Sequence, residues 1–392
     1  MVDFRGCRWL TCCAAMLLLA ACASKPVHHH APKAKPVVPF VEQGDIQLVW
    51  QHDVDQRKPA SPPGFSLPAA FTTDHGELIV AGGRDRRVRF YDAQGRELGW
   101  VALQYACESG ALRLRNGIVV VGDVLGNLYG IDPERQQIVW QQPLSAAMMG
   151  APVAIGDDFI VQTSNNLIYR LHADGKKVWS YSASRLGGLG MHMSPSPVVY
   201  QGRVYAVFSN GDVIALKGDT GSLLWKRQLL ISNDAAVVSE LKVPEATPLV
   251  LPAGQTVSHE DILAVAIYQG SLFFLSLRDG STLARRGLSV KGRPAMAHGE
   301  LIVADASGAV SALDVEGTTL WKKQLSSGEL TAPVVWQGKI WVADALGHVF
   351  RLALDGTLQS AHALNGRFDR EPVLSRHGVL LRNNLGTLYL LR

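Results

Sequence analysis

The chain has 392 residues, 47% of them hydrophobic and 18% charged, a balance that can fill a large core and excludes an intrinsically disordered chain. Its formal charge of +4 is small for this length and its Lys and Arg are scattered, apart from "RDRRVR" at Arg84–Arg89, which argues against a nucleic-acid partner. The mean hydropathy of +0.09 fits a strand-rich body.

In chain order, Arg5 and Arg8 precede the apolar run "TCCAAMLLLAA" (Thr11–Ala21), which is too short to cross a bilayer as a helix, so residues 1–21 are expected to be an export signal. The run ends in "LAAC" at Cys22, which resembles the lipobox of bacterial lipoproteins; the alternative is an ordinary secretory signal. The resemblance implies cleavage before Cys22, acylation of its sulfur and new amino group, and attachment to a membrane by that lipid anchor. Ala23 follows instead of the Asp that marks inner-membrane retention, which favours the outer membrane. Of the five cysteines, Cys7, Cys12 and Cys13 lie in the signal and Cys22 carries lipid, so Cys107 is left without an intramolecular disulfide partner. Residues 22–44, rich in Pro, Ala and Lys, read as an extended tether. His28, His29 and His30 within it read as solvated, because no further ligand lies near them in sequence.

From Asp45 a unit repeats. "ELIVADASGAVSALDVEGTTLW" (Glu300–Trp321) has its counterpart in "KIWVADALGHVFRLALDGTLQS" (Lys339–Ser360). Six units open on a small or charged residue, Pro and an apolar residue, "APV" at Ala151, "SPV" at Ser196, "TPL" at Thr247, "RPA" at Arg293, "APV" at Ala332 and "EPV" at Glu371, with looser versions at Leu67 and Gly110. Two alternating strands follow around turns such as "DVLG" (Asp123–Gly126), "DASG" (Asp305–Gly308), "DALG" (Asp344–Gly347) and "NNLG" (Asn383–Gly386), with Asp or Asn first and Gly fourth as type I turns prefer. A last strand carries Trp, at Trp50, Trp100, Trp140, Trp179, Trp225 and Trp321, while Ala284 and Ser360 stand in that place in two units. Eight units of roughly 43 residues in 45–392 predict an all-β, eight-bladed β-propeller with four antiparallel strands per blade. The sequence stops after the third strand of its last unit, and "IQLVW" (Ile46–Trp50) is an orphan fourth strand, so the N-terminal strand is expected to close the last blade.

The Gly and Trp punctuation resembles the repeats of quinoprotein dehydrogenase propellers, in which the Trp packs between neighbouring blades. Together with the lipoprotein signal and the count of eight, it is similar to the BamB family of outer-membrane assembly lipoproteins over nearly the whole chain from Cys22. The resemblance implies a non-enzymatic scaffold facing the periplasm, with BamA, other subunits of the β-barrel assembly machine and unfolded outer-membrane proteins as its partners, and with no cofactor. Two inter-blade loops stand out: Trp140 to Pro152 and Trp321 to Pro333 span 12 positions each, whereas Trp179 to Pro197 spans 18 and Trp225 to Pro248 spans 23. In the family these loops meet BamA. The family's apolar, spacer, apolar, Arg pattern falls on Leu189, Gly190, Met191 and His192, where His192 keeps a donor but is largely uncharged near neutral pH. Its Asp, spacer, Asp pattern falls on Val243, Pro244 and Glu245, which keeps one acid. Leu189, Met191, His192 and Glu245 are therefore the expected partner-binding residues. A propeller of another envelope complex and a quinone- or ligand-binding propeller are the alternatives.

Quinone chemistry would need a base carboxylate, oxygen ligands for calcium and, in many members, a vicinal Cys pair, but Cys12 and Cys13 leave with the signal. Asp123, Asp305 and Asp344 stand at turn starts, where binding their own turn is the simpler role, so neither a catalytic nor a metal site is expected. "RLGGLG" (Arg185–Gly190) lacks the phosphate-loop pattern and reads as a loop, "MHM" (Met191–Met193) as an apolar contact rather than a soft-metal site, and "RDRRVR" as a solvated face.

Overall fold

The computed structural model describes residues 38–55, 66–148, 150–183, 195–230, 244–256 and 259–392. The signal, Cys22, the three tether histidines, Leu189, Met191 and His192 lie outside these residues.

Eight four-stranded antiparallel sheets follow one another along the chain. Blade I is formed by Ala69–Thr73, Gly76–Gly82, Arg87–Tyr91 and Glu97–Ala102, and blades II to VII occupy 112–143, 153–182, 198–228, 249–286, 295–324 and 334–363. Blade VIII takes Val373–Ser375, Gly378–Arg382 and Thr387–Leu391 from the C-terminus and Leu48–Asp53 from the N-terminus, with Gln51 opposite Tyr389 and Asp53 opposite Thr387. The closing strand runs to Asp53 rather than ending at Trp50. The opening Pro of a unit stands immediately before the first, innermost strand, as Pro152 does before Val153, Pro197 before Val198 and Pro248 before Leu249. An inner edge strand tolerates the missing donor there.

The second and third strands of each blade are nearly continuous runs of buried Val, Ile, Leu and aromatic residues, since both of their faces meet a neighbouring blade. Their turns are held as the sequence predicts: the Asp123, Asp305 and Asp344 carboxylates each accept two amides of their own turn, at 2.8–3.1 Å. Asn383 does the same for Leu385 and Thr387 at 3.0 and 2.8 Å.

A register shift between the third and fourth strands recurs in every blade, and the Trp position is paired beside it, as Trp179 with Arg170 and Trp225 with Ala215. A bulge twists the outer strand and so aims that side chain at the next blade. Trp50, Trp179 and Trp225 donate to carbonyls of the following blade's outer turn, at Ala93, Gly218 and Leu277, at 3.0–3.1 Å. Trp140 and Trp321 lie against Gly175 and Gly356 of the following blades.

The remaining joints differ. Between blades I and II the turn position is Gln136, whose side chain lies over Gly99 and donates to the Leu98 carbonyl at 3.0 Å. Trp100 there is 41% exposed, with the Arg87 guanidinium 4.1 Å from its ring centre. Where Ala284 stands, Phe274 and Arg286 meet Gly317, and Arg286 donates to its carbonyl at 2.9 Å. Where Ser360 stands, Gly44 packs directly on it. Residues 40–44, read from composition as the end of the tether, in fact lie along the outer edge of blade VII. Phe40 stacks on His348 with ring centres 3.8 Å apart, and Gln43 exchanges two backbone hydrogen bonds with Ala361 at 3.1 and 2.9 Å.

"RDRRVR" is a solvated face only in part: Arg86 is exposed, but its neighbours turn inward. Arg89 is 1% exposed, forks onto Asp85 and donates to the Val54 carbonyl, and Arg84 pairs with Glu108. Alternation alone could not show that each inward arginine finds an acid within the same pair of blades.

Candidate functional site

Turns joining the second and third strands, and loops joining one blade to the next, share one end of the ring. The two long loops leave this end on either side of blade IV. The stem of the first loop is described at Ala183 and Pro195–Pro197, and that of the second at Leu229, Leu230 and Pro244–Pro248. A lateral chain of bonds fixes their spacing: the Ala151 amide donates to the Ser196 hydroxyl at 2.8 Å, and the Ser196 amide donates to the Thr247 hydroxyl at 3.1 Å. Small hydroxyl residues before the Pro thus tie the starts of blades III, IV and V together. The Leu229 amide is held by the Gly211 carbonyl at 3.0 Å. Both loops therefore spring from a rigid rim.

Glu245 belongs to that rim, half-buried, and lines the mouth of the central channel with Lys291, Asp369, Arg370 and Glu371. Burial pushes its carboxyl above the usual range, against the pull of Lys291 and Arg370 and with Glu329 adding to it. Its Oε2 has no hydrogen-bond partner among the described residues. The same applies around the ring, where burial raises the carboxyls of Glu108, opposed by Arg84 and Arg370, and of Glu371, opposed by Arg293 and Arg370. The Lys291 ammonium is 3.4 Å from Glu329, whose other oxygen accepts from the Tyr268 hydroxyl at 2.6 Å. Deeper, Arg382 pairs with Asp55 at 2.5 Å. These charges crowd the passage, and the cavity at its mouth is about 50 Å³.

The sequence reading missed this charged ring. Its one signal was the departure from the small-residue rule at Arg293 and Glu371, the two unit openings that carry charge, which the fold sets within electrostatic reach of each other. Among the described residues no group of His, Cys, Asp or Glu could hold a metal ion. Cys107 is buried, and desolvation pushes its thiol up to about 12, which leaves it protonated and unreactive. No described helix is long and apolar enough to cross a membrane.

A family profile described as outer membrane protein assembly factor BamB matches residues 84–286 and 268–367. The BamB of Yersinia pestis is 25% identical over 279 residues, 70% of this chain and 69% of that protein. The BamB of Nitrosomonas eutropha is 25% identical over 245 residues, 62% of this chain and 56% of that protein, and the Escherichia coli protein 23% identical over 277 residues. Among solved structures, BamB from Moraxella catarrhalis superposes with a TM-score of 0.76 at 20% identity, over 89% of this chain and all of that one. A quinohemoprotein alcohol dehydrogenase from Comamonas testosteroni shares the fold at a TM-score of 0.68 and 13% identity, over 89% of this chain and 76% of that one.

Proposed function

Because this chain belongs to the family of outer membrane protein assembly factor BamB, we propose that it is a non-enzymatic scaffold of the β-barrel assembly machine, held at the outer membrane by a lipid on Cys22 and facing the periplasm. It binds the periplasmic domains of BamA and, through them, supports insertion of outer-membrane proteins. The observation that carries the reading is the rigid rim: the Ala151, Ser196 and Thr247 chain holds the C-terminal ends of two loops, each longer than its repeat equivalents, side by side where blades IV and V begin. Leu189 and Met191 supply an apolar anchor on the first loop and His192 a donor beside it. Glu245 serves from the rim as a fixed negative charge that sets orientation rather than as a contact at a loop tip.

The channel supports the scaffold reading over the quinone alternative. A cavity of about 50 Å³ crowded by Glu245, Lys291, Arg370 and Glu371 is far below the roughly 300 Å³ at which small-molecule sites begin. The test is capture from crosslinked membranes followed by mass spectrometry, with the protein as it is and with Leu189→Asp plus Met191→Asp. The expected result is recovery of BamA by the first and its loss from the second at an unchanged Tm. Recovery of BamA by both would remove the loop assignment, and recovery of a different envelope complex would remove the function.

A further inference from the structure

The described residues also enclose a cavity of about 750 Å³ on the face opposite the long loops, among the outer and inner turns of blades I and II. It lies at the joint that Gln136 bridges in place of a docked indole, and Leu98 and Ile118 give it an apolar side. Its size is that of a ligand groove.

Arg113, the last residue of the strand Leu112–Arg113, forms part of the wall. Its Nε is closed off from solvent with no acceptor, and its guanidinium makes no hydrogen bond or ion pair among the described residues. The neighbouring cations are engaged: Arg96 with Asp92 at 3.0 Å, and Arg115 with Asp157 at 2.9 Å. Most of the nearby acids are committed too. Glu77 accepts from the Ser375 hydroxyl and the Arg376 amide at 2.7 and 2.8 Å, and Asp92 and Asp132 accept amides of their own turns. The fold thus presents to the groove a guanidinium that pairs with none of the acids around it.

We propose that this groove docks an extended protein segment that lays the carboxylate of one acidic side chain onto Arg113 and an apolar residue against Leu98 and Ile118. The planar guanidinium fork matches a carboxylate through two parallel hydrogen bonds. The carboxylates of Asp74 and Glu134, on the same lining, make no hydrogen bond or ion pair among the described residues and favour basic or neutral positions on either side of that carboxylate. With five acids lining the groove against three arginines, a phosphate-rich surface or a nucleic acid is repelled. The segment is therefore one acid between basic or apolar residues.

The experiment uses the full chain and a labelled probe peptide, acetyl-Lys-Leu-Glu-Leu-Lys-amide, with its Gln counterpart, read by fluorescence anisotropy at low salt. The Glu peptide is expected to bind more tightly than the Gln peptide by about tenfold or more. Arg113→Gln should erase that preference, and Arg115→Gln, which removes a solvent-exposed pair, should keep it. Leu98→Asp, on an exposed residue, provides a second variant should Arg113→Gln fail to fold, and is expected to weaken the Glu peptide with circular dichroism unchanged. Equal binding of the two peptides to the unmodified protein would overturn the proposal, as would a preference that survives both Arg113→Gln and Leu98→Asp. Competition by inorganic phosphate well below the concentration at which acetate competes would overturn the carboxylate assignment.

Discussion

At the joint between blades IV and V, Trp225 is 8% exposed, lies against Gly280 and donates to the Leu277 carbonyl at 3.0 Å. At the joint between blades I and II, Trp100 holds the equivalent place in the repeat yet is 41% exposed, and Gln136 makes the bridge. The tryptophans are alike, and what differs is the turn that receives them. A Cβ on Gly280 would lie 2.6 Å from the Trp225 ring, and its φ of +72° suits glycine. Gln136 has a positive φ as well, but its side chain fills the space where an indole would land. Docking is thus decided by the receiving glycine as much as by the tryptophan.

The largest effect should come from breaking the closed joint. Trp225→Ala is expected to cost about 3–5 kcal/mol, through the cavity left against Gly280 and the lost hydrogen bond, while Trp100→Ala should stay within about 1 kcal/mol. Urea unfolding of the two variants decides this, and equal midpoints would mean that the two joints carry equal load. Next comes Ser360→Trp, which restores the repeat pattern where Gly44 now packs. It should destabilise by about 1–3 kcal/mol through overpacking, so a rise in Tm would show that the joint can open to admit the indole.

The smallest effects contrast a turn carboxylate with a channel carboxylate. Burial pushes the Asp305 carboxyl up, but the Lys322 ammonium at 2.8 Å and the Ser307 hydroxyl outweigh it and hold the group below its ordinary value. Its contribution is therefore present above about pH 4 and is lost as pH falls through the folded-state value. Glu245 has the opposite sign: its raised carboxyl costs stability near neutral pH, and that cost fades on acidification to about pH 4. Asp305→Asn should lower Tm at pH 7, whereas Glu245→Gln should raise it there and leave it unchanged at pH 4. Melting curves across pH would contradict the channel description if Glu245→Gln lowered Tm at pH 7.

Legibility in the sequence followed locality. The Asp and Asn turns, and through them the number of blades, could be read because each rests on residues a few positions apart, such as Asp123 with Leu125 and Asn127. The substitutes at Ala284 and Ser360 could not, since Arg286 reaches Gly317 of the next blade and Gly44 meets Ser360 from the other end of the chain. The channel ring draws Glu108, Lys291, Glu329 and Arg370 from four separate units, and no periodicity links charges that converge only when the ring closes. Glu245 was read as a loop charge because its neighbours in sequence are loop residues, whereas its neighbours in space are Lys291 and Arg370.

The passage of residues 40–44 along blade VII has a mechanical consequence. A pull on the chain from its N-terminal side reaches the paired bonds of Gln43 and Ala361 and the stacked rings of Phe40 and His348 before it reaches the strand Leu48–Asp53 that closes the ring. Gln43 runs antiparallel to its partner strand, so force along that strand loads the bonds in shear, all together, instead of peeling them one at a time. Tension arriving from the tether is therefore met at blade VII before it reaches the seam of the propeller.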